Sequence, residues 1–204
     1  VKGSETIVIT NEQIKLSTDN ETSAVMHISE KSLMEKLAEI ITVNGGDILE
    51  IGFGMHLSAD AIQSNPKVTS HTIIEVHPEI YKLAIEWAKD KKNVKVILGD
   101  WINILPLNGI KFDGILHDTH LDPNISKFLD YVKSNCKINS IVGFFEYLEF
   151  DTRFTGIRHS LTASEFDSLP YKNHQAFNSN CFELKYTTFD GTNFYSNREI
   201  KGLI

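Results

Sequence analysis

The sequence predicts an α/β fold: a mostly parallel, Rossmann-like sheet with helices on both faces and an antiparallel hairpin at its C-terminal end. Three observations predict it. Short apolar, β-branched runs alternate with amphipathic helical segments from Asp47 to Phe145. The first of these runs collapses into Gly52-Phe53-Gly54 just before a helix, as at the first turn of a nucleotide-binding sheet. Near the end, two strand-like runs flank Asp190-Gly191, a hairpin-turn pair.

Each element has its own reason. Thr6–Thr10 (TIVIT) and Gln13–Leu16 are short and β-prone and read as an N-terminal arm or hairpin. Ser29–Ile41 reads as a helix with Leu33, Met34, Leu37, Ala38, Ile40 and Ile41 on one face. Ser32 with Glu35 fits a capping box at its start, and Asn44-Gly45-Gly46 stops it. Asp47–Ile51 is a strand, His56–Ser64 a helix and Val68–Glu75 a strand. Pro78 opens a helix that runs to Lys89, at a position where its missing N–H costs nothing. Val94–Leu98 is a strand, Trp101–Leu105 a helical turn and Phe112–His117 a strand. Asn124–Asn135 is a helix with Ile125, Phe128, Leu129 and Val132 inward, and Ser140–Phe145 is a strand. Thr162–Leu169 is a short helix opened by a second Thr-x-x-Glu box. Phe182–Thr188 and Phe194–Ile200 form the closing hairpin. The 204 residues read as one domain, with 1–28 as an arm or lid and 29–204 as the core.

Composition narrows the partners. A chain of 204 residues can bury a core without staples. Its formal net charge of −7 argues against a nucleic-acid backbone, which needs clustered Lys and Arg. Cys136 and Cys181 form no metal spacing and no disulfide framework. No apolar run approaches the about 18 residues of a membrane span, and no secretory signal is visible. The expectation is a cytoplasmic protein, monomer or homodimer, with a small-molecule partner, no nucleic acid and no membrane.

In a parallel sheet the ligand sits beyond the carboxyl ends of the strands. Those ends read Glu50-Ile51-Gly52-Phe53-Gly54, Glu75-Val76, Gly99-Asp100-Trp101, His117-Asp118-Thr119-His120 and Glu146-Tyr147. Gly52 and Gly54 let the chain turn sharply and let a ligand approach, although a lone G-x-G also fits a plain tight turn. Glu75 lies 23 residues beyond Gly52, the position from which a carboxylate receives both ribose hydroxyls. A pyrophosphate wants a third glycine and an open helix N-terminus, and this loop has Met55-His56-Leu57 instead. Glu50, just before the loop, repels a phosphate and attracts an amino group and a sulfonium. The loop therefore selects S-adenosylmethionine over a dinucleotide. Asp100 is placed for the exocyclic amine of the adenine, with the flat face of Trp101 beside it.

The segments VMHISEKSLMEKLAEII, GGDILEIGFGM, HTIIE and FDGILHDTH, with NFYSNREIKGLI at the end, resemble guanidinoacetate N-methyltransferase and the related arginine N-methyltransferases. The resemblance implies a class I methyltransferase sheet and methyl transfer from S-adenosylmethionine to a guanidino nitrogen, leaving S-adenosylhomocysteine. It implies that cofactor contacts fall on Glu50, Gly52, Phe53, Gly54, Met55, Glu75, Val76, Asp100, Trp101 and Asp118. It places the guanidinium between a glutamate on the N-terminal helix, here Glu30, and the aspartate ending the fourth strand, here Asp118. Thr119, His120, Glu146 and Tyr147 complete the expected substrate wall, with His120 standing where the family has a tyrosine.

The chemistry gives the two carboxylates a reason. A guanidinium is protonated and its lone pairs are delocalised, so it is a poor nucleophile. Paired, charge-assisted hydrogen bonds fix its planar fork and align one nitrogen with the methyl. That nitrogen becomes acidic as its new bond forms, so Asp118 reads as the base and Glu30 as the second orienter. His117, His120 and Asp122 match no strong metal motif, and no metal is expected. Trp87 reads as core. After the fifth strand, Glu146 and Glu149 repel a substrate carboxylate, and Arg153 and Arg158 attract one if their loop folds inward, so the far end of the substrate stays open among arginine-like amino acids, guanidino amines and other amines. Transfer to an oxygen or another amine, or cofactor binding without turnover, are the rival readings.

Overall fold

The computed structural model describes residues 6–17, 22–119, 122, 124, 127–147, 182–192 and 194–195, with the backbone alone for 144–147, 182–187 and 194–195. The N-terminal segment is a three-stranded antiparallel sheet of β1 (Thr6–Ile9), β2 (Gln13–Ser17) and β3 (Thr22–His27), in that order. Thr10 fastens the first turn, its hydroxyl accepting the Gln13 N–H at 3.1 Å. The hairpin was expected and the third strand was not. β3 runs without a break into a helical turn over Ile28–Glu30, and the helical pattern beyond it hides a strand this short.

That turn corrects the expected helix start. The capping box lies at His27 and Glu30, not at Ser32 and Glu35. The ring Nδ1 of His27 accepts the Ser29 N–H at 3.1 Å, and Glu30 Oε1 accepts the His27 N–H at 2.7 Å. A histidine nitrogen here does what a serine or threonine oxygen usually does at a helix N-cap. α1 (Lys31–Ile41) follows and buries the six apolar residues assigned to its inner face.

The main sheet has seven strands. β4 (Gly46–Ile51), β5 (Val68–Glu75) and β6 (Val94–Leu98) run outward in parallel. The chain then crosses back, and β7 (Phe112–His117) pairs parallel to β4 on its other side, followed by β8 (Cys136–Tyr147). β9 (Phe182–Phe189) and β10 (Phe194–Tyr195) add an antiparallel edge. The order is β10-β9-β8-β7-β4-β5-β6, so strand order reverses between β4 and β7. α2 (Leu57–Ser64), α3 (Pro78–Ala88), α4 (Trp101–Ile104) and α5 (Phe128–Val132) fill the connections. α5 is shorter than expected and passes into a 3-10 turn over Lys133–Asn135.

Alternate side chains of the strands feed two cores. Ile48, Leu116 and Ile141 pack with α1 and α2 on one face. Leu49, Ile51, Ile115 and Val142 pack with Trp101 and Phe128 on the other. α1 lies close on the sheet because β7 and β8 present glycines to it. A Cβ on Gly114 would stand 2.1 Å from the Ile41 carbonyl oxygen, and one on Gly143 would stand 2.7 Å from the Leu37 side chain. Trp87 is half-buried against a third cluster around Phe53, with its indole N–H donated to Asp60 at 2.8 Å. Cys136 is buried in β8. The expected helix at Thr162–Leu169, the strand residues beyond Tyr195, and His120, Ile125, Glu149, Arg153, Arg158 and Cys181 lie outside the described residues. No described helix is long and apolar enough to cross a membrane.

Candidate active site

A cavity of about 290 Å³ opens where strand order reverses, between the carboxyl ends of β4 and β7. The strand ends are tied there: the Asp118 N–H is donated to the Ile51 carbonyl of β4 at 2.9 Å, and the Gly52 N–H to the Ile74 carbonyl of β5 at 2.9 Å. Gly52 has φ +88°, and a Cβ on it would stand 1.9 Å from the Asp118 carbonyl oxygen. Only glycine permits both the turn and the approach. Gly54 has φ +50° and lies under Met26, whose sulfur would be 2.6 Å from a Cβ there and accepts the Met55 N–H at 3.1 Å. The N-terminal sheet thus forms part of the cavity wall, through Ile7, Leu16, Val25 and Met26.

The residues present fit a cationic, phosphate-free nucleoside cofactor. Glu75 ends β5 on the cavity wall, nearly fully buried. Its Oε2 accepts the Phe53 N–H at 2.9 Å and its Oε1 the His77 N–H at 2.7 Å. The carboxylate is locked between the glycine loop and the start of α3, and each oxygen keeps lone-pair capacity for a hydroxyl. Burial raises its pKa despite those two backbone donors. Val76, Asp100 and Trp101 line the same cavity; Asp100 caps α4 by accepting the Ile102 N–H at 3.2 Å. Among the described residues the wall carries no lysine or arginine, so a phosphate would meet carboxylates without a cation.

Glu30 and Asp118 both line this cavity, one from the turn before α1 and the other from the end of β7. Glu30 is buried, and its pKa is pushed up to about 8, first by desolvation and then by the charge of Asp118. Asp118 is pushed up to about 7 by desolvation and by the charges of Glu50 and Glu75. Two carboxylates that resist ionising together make a site short of one positive charge. Thr119 stands beside them on the wall.

Other expected cofactor residues are set back. Glu50 is fully buried and off the wall, with Oε1 accepting the Ser58 hydroxyl and Oε2 lying 2.9 Å from His71 Nε2. Its charge reaches the cavity through Asp118, whose pKa it raises. The Phe53 ring is 1% exposed and belongs to the core around α3. Met55 offers its backbone to Met26 and packs its side chain against the cores, also off the wall. Glu146 and Tyr147 pair with Glu183 and Phe182 in β9, which fixes their backbone positions alone. Sequence reasoning missed the four apolar residues of the N-terminal sheet, and it weighed Asp122 only for a metal. Asp122 lines the cavity, and among the described residues no group of acidic, histidine and cysteine side chains has metal-holding geometry.

The profile of the family described as guanidinoacetate N-methyltransferase matches residues 15–143. A protein arginine N-methyltransferase 2 of Yarrowia lipolytica is 29% identical over 148 residues, 67% of this chain and 30% of its own length. The chain therefore spans less than a third of that relative. Among solved structures, a spermidine synthase in complex with the transition-state analogue AdoDATO aligns with a TM-score of 0.62 at 12% identity, over 90% of this chain and 72% of that one. The 23S rRNA methyltransferase ErmE aligns with a TM-score of 0.55 at 16% identity, over 76% and 66%. These two share the fold. The glycine loop, the strand-end carboxylates and the extent of the profile match converge, and the chain belongs to the guanidinoacetate N-methyltransferase family, a class I methyltransferase domain with S-adenosylmethionine as methyl donor.

Proposed function

We propose that the chain methylates a guanidino or amino nitrogen of a small molecule, with Asp118 as base and Glu30 as orienting carboxylate. The observation that carries this reading is the pair of buried carboxylates on one cavity wall, both with raised pKa values. Glu75, Asp100 and the backbone at Gly52 and Gly54 would hold the cofactor, which supplies an electrophilic methyl group. A guanidinium entering between Glu30 and Asp118 provides the missing positive charge and favours ionisation of both. The two carboxylates then hold its planar N–H fork, and alignment of this kind lowers a barrier by up to about 7–11 kcal/mol in ideal systems. Glu30 is held in place through the oxygen that accepts the His27 N–H. A carboxylate oxygen of Asp118 takes the proton released as the nitrogen is alkylated.

A second acceptor, arginine within a peptide, is favoured by the similarity to a protein arginine N-methyltransferase. The test is a screen of guanidines, amino acids, amines and an arginine peptide with S-adenosylmethionine, read by product mass, together with Asp118→Asn. Turnover is expected to fall about 100-fold or more, while cofactor affinity stays within a few-fold. Asp118→Asn with retained turnover removes Asp118 as base. Methylation at oxygen removes the nitrogen reading, and absence of S-adenosylmethionine binding in calorimetry removes the methyl-transfer reading as a whole.

A further inference from the structure

Asp122 has no role in the reaction so far, yet it is among the most heavily bonded side chains near the cavity. Its Oδ2 accepts the Trp101 indole N–H at 2.6 Å and lies 3.0 Å from His117 Nε2 and 3.4 Å from the Thr119 hydroxyl. Its Oδ1 accepts the Asn124 N–H at 2.8 Å. Two of these partners, His117 and Thr119, are the neighbours of Asp118 on either side. A third, Trp101, is a cavity-wall residue. His117 is buried edge-on to Trp101 and tilted on Phe128 at 4.4 Å, so its ring has no room to turn away. Among the described residues its other nitrogen, Nδ1, has no hydrogen-bond partner, so the contact with Asp122 is the polar contact that orients the ring.

We propose that Asp122 is a positioning residue, a carboxylate clip that joins both neighbours of Asp118 to Trp101 and so sets the angle at which Asp118 faces the substrate nitrogen. The geometry explains why a carboxylate stands at this position: one oxygen receives three side chains, and a neutral amide oxygen accepts such a set poorly. Burial opposes ionisation of Asp122, yet the bond from His117 and the Asn124 and Trp101 donors hold its pKa below the usual carboxylate range, whereas that of Asp118 is raised.

The inference rests on the reading of Asp118 as base, and the experiment separates the two. Asp122→Asn keeps the shape and exchanges one acceptor for a donor. Its kcat is expected to fall about 10–100-fold, the loss expected from a small misplacement of a reacting group. Affinity for S-adenosylhomocysteine should stay within about threefold and the melting temperature within a few degrees. In the ligand-free protein the Trp101 indole N–H resonance, assigned with Trp101→Phe, should lie downfield and move upfield in Asp122→Asn. Wild-type kcat, or an unmoved indole signal, overturns the proposal. If Asp122→Asn does not fold, the unaltered protein still decides: an indole signal at the ordinary exposed position overturns the clip. Asp118→Asn run in parallel identifies the failure of the base assignment, because retained turnover there removes the base whatever Asp122→Asn does.

Discussion

At the residue scale the two carboxylates differ in how they can be replaced. Glu30→Gln keeps an oxygen to accept the His27 N–H and loses the charge. A hydrogen bond to a charged group is worth about 1.5–3 kcal/mol, so kcat/KM for a guanidine should fall about 10–100-fold with the fold intact by circular dichroism. Glu30→Ala loses the cap as well and should add a loss of about 1 kcal/mol in stability, read by chemical denaturation. If Glu30→Gln turns over guanidines normally, Glu30 is a helix cap and nothing more. Gly52→Ala sets a different limit: its Cβ meets backbone oxygen, not a movable side chain, and cofactor binding should be lost. Unchanged S-adenosylhomocysteine affinity in that variant would mean the loop does not hold the cofactor. Asp118, Glu75 and Asp100 were expected on one rim because they end strands, and Glu30 from the family resemblance alone; all four line the cavity. Glu50 was read as facing the ligand because the sequence says nothing of Ser58 and His71, which close over it from α2 and β5. Asp122 was unreadable for a related reason: its partners come from α4 and the end of β7, and no spacing announces them.

At the scale of elements, the distance between Glu30 and Asp118 is the distance between the start of α1 and the end of β7. α1 is seated closely on β7 at its far end, where Gly114 faces the Ile41 carbonyl. Gly114→Ala drives a methyl into the Ile41 carbonyl and should cost about 1–3 kcal/mol, the usual range for overpacking. It should also lower kcat while leaving cofactor affinity within a few-fold, because the carboxylate pair opens and the glycine loop does not. A kinetic profile identical to wild type would show that α1 tilts without moving Glu30. The opposite end of the sheet provides the control. Lys137 bridges Asp47 and Asp113 at 2.8 and 2.7 Å, and its bonds hold the Asp47 carboxyl below the usual range. Lys137→Met should lower stability by no more than about 1 kcal/mol, as for an exposed pair, and leave kinetics untouched. The strands from β4 to β7 were legible to within a residue, because buried parallel strands are continuous apolar runs, whereas β8 runs over Cys136–Tyr147 against an expected Ser140–Phe145 and α5 is shorter than expected. β3 and the true start of α1 were not, because a six-residue strand joined directly to a helical turn has no punctuation between the two periods.

At the scale of the whole molecule, the raised carboxylates make stability depend on pH with a definite sign. Glu30 at about 8 and Asp118 at about 7 hold protons in the folded chain at pH values where the unfolded chain has already released them. Where the folded state binds more protons, stability falls as pH rises. Their contribution is therefore complete below the ordinary carboxylate range and is lost as pH climbs through about 7 and 8. A guanidinium ligand inverts the slope, since it binds the ionised pair and must displace protons at lower pH. Ligand-free protein should melt at a lower temperature near pH 8.5 than near pH 6, while the melting-point increase given by a guanidino ligand should grow over the same interval. The comparison is made against Glu30→Gln combined with Asp118→Asn, in which the ligand effect should vanish and the slope should flatten. Proton release on ligand binding, measured calorimetrically in two buffers of different ionisation enthalpy, should be largest near pH 6 and approach zero above pH 8.5. A ligand that binds with no proton release at pH 6 would mean that it does not sit between these two groups, and the guanidinium site would have to be sought elsewhere on the cavity wall.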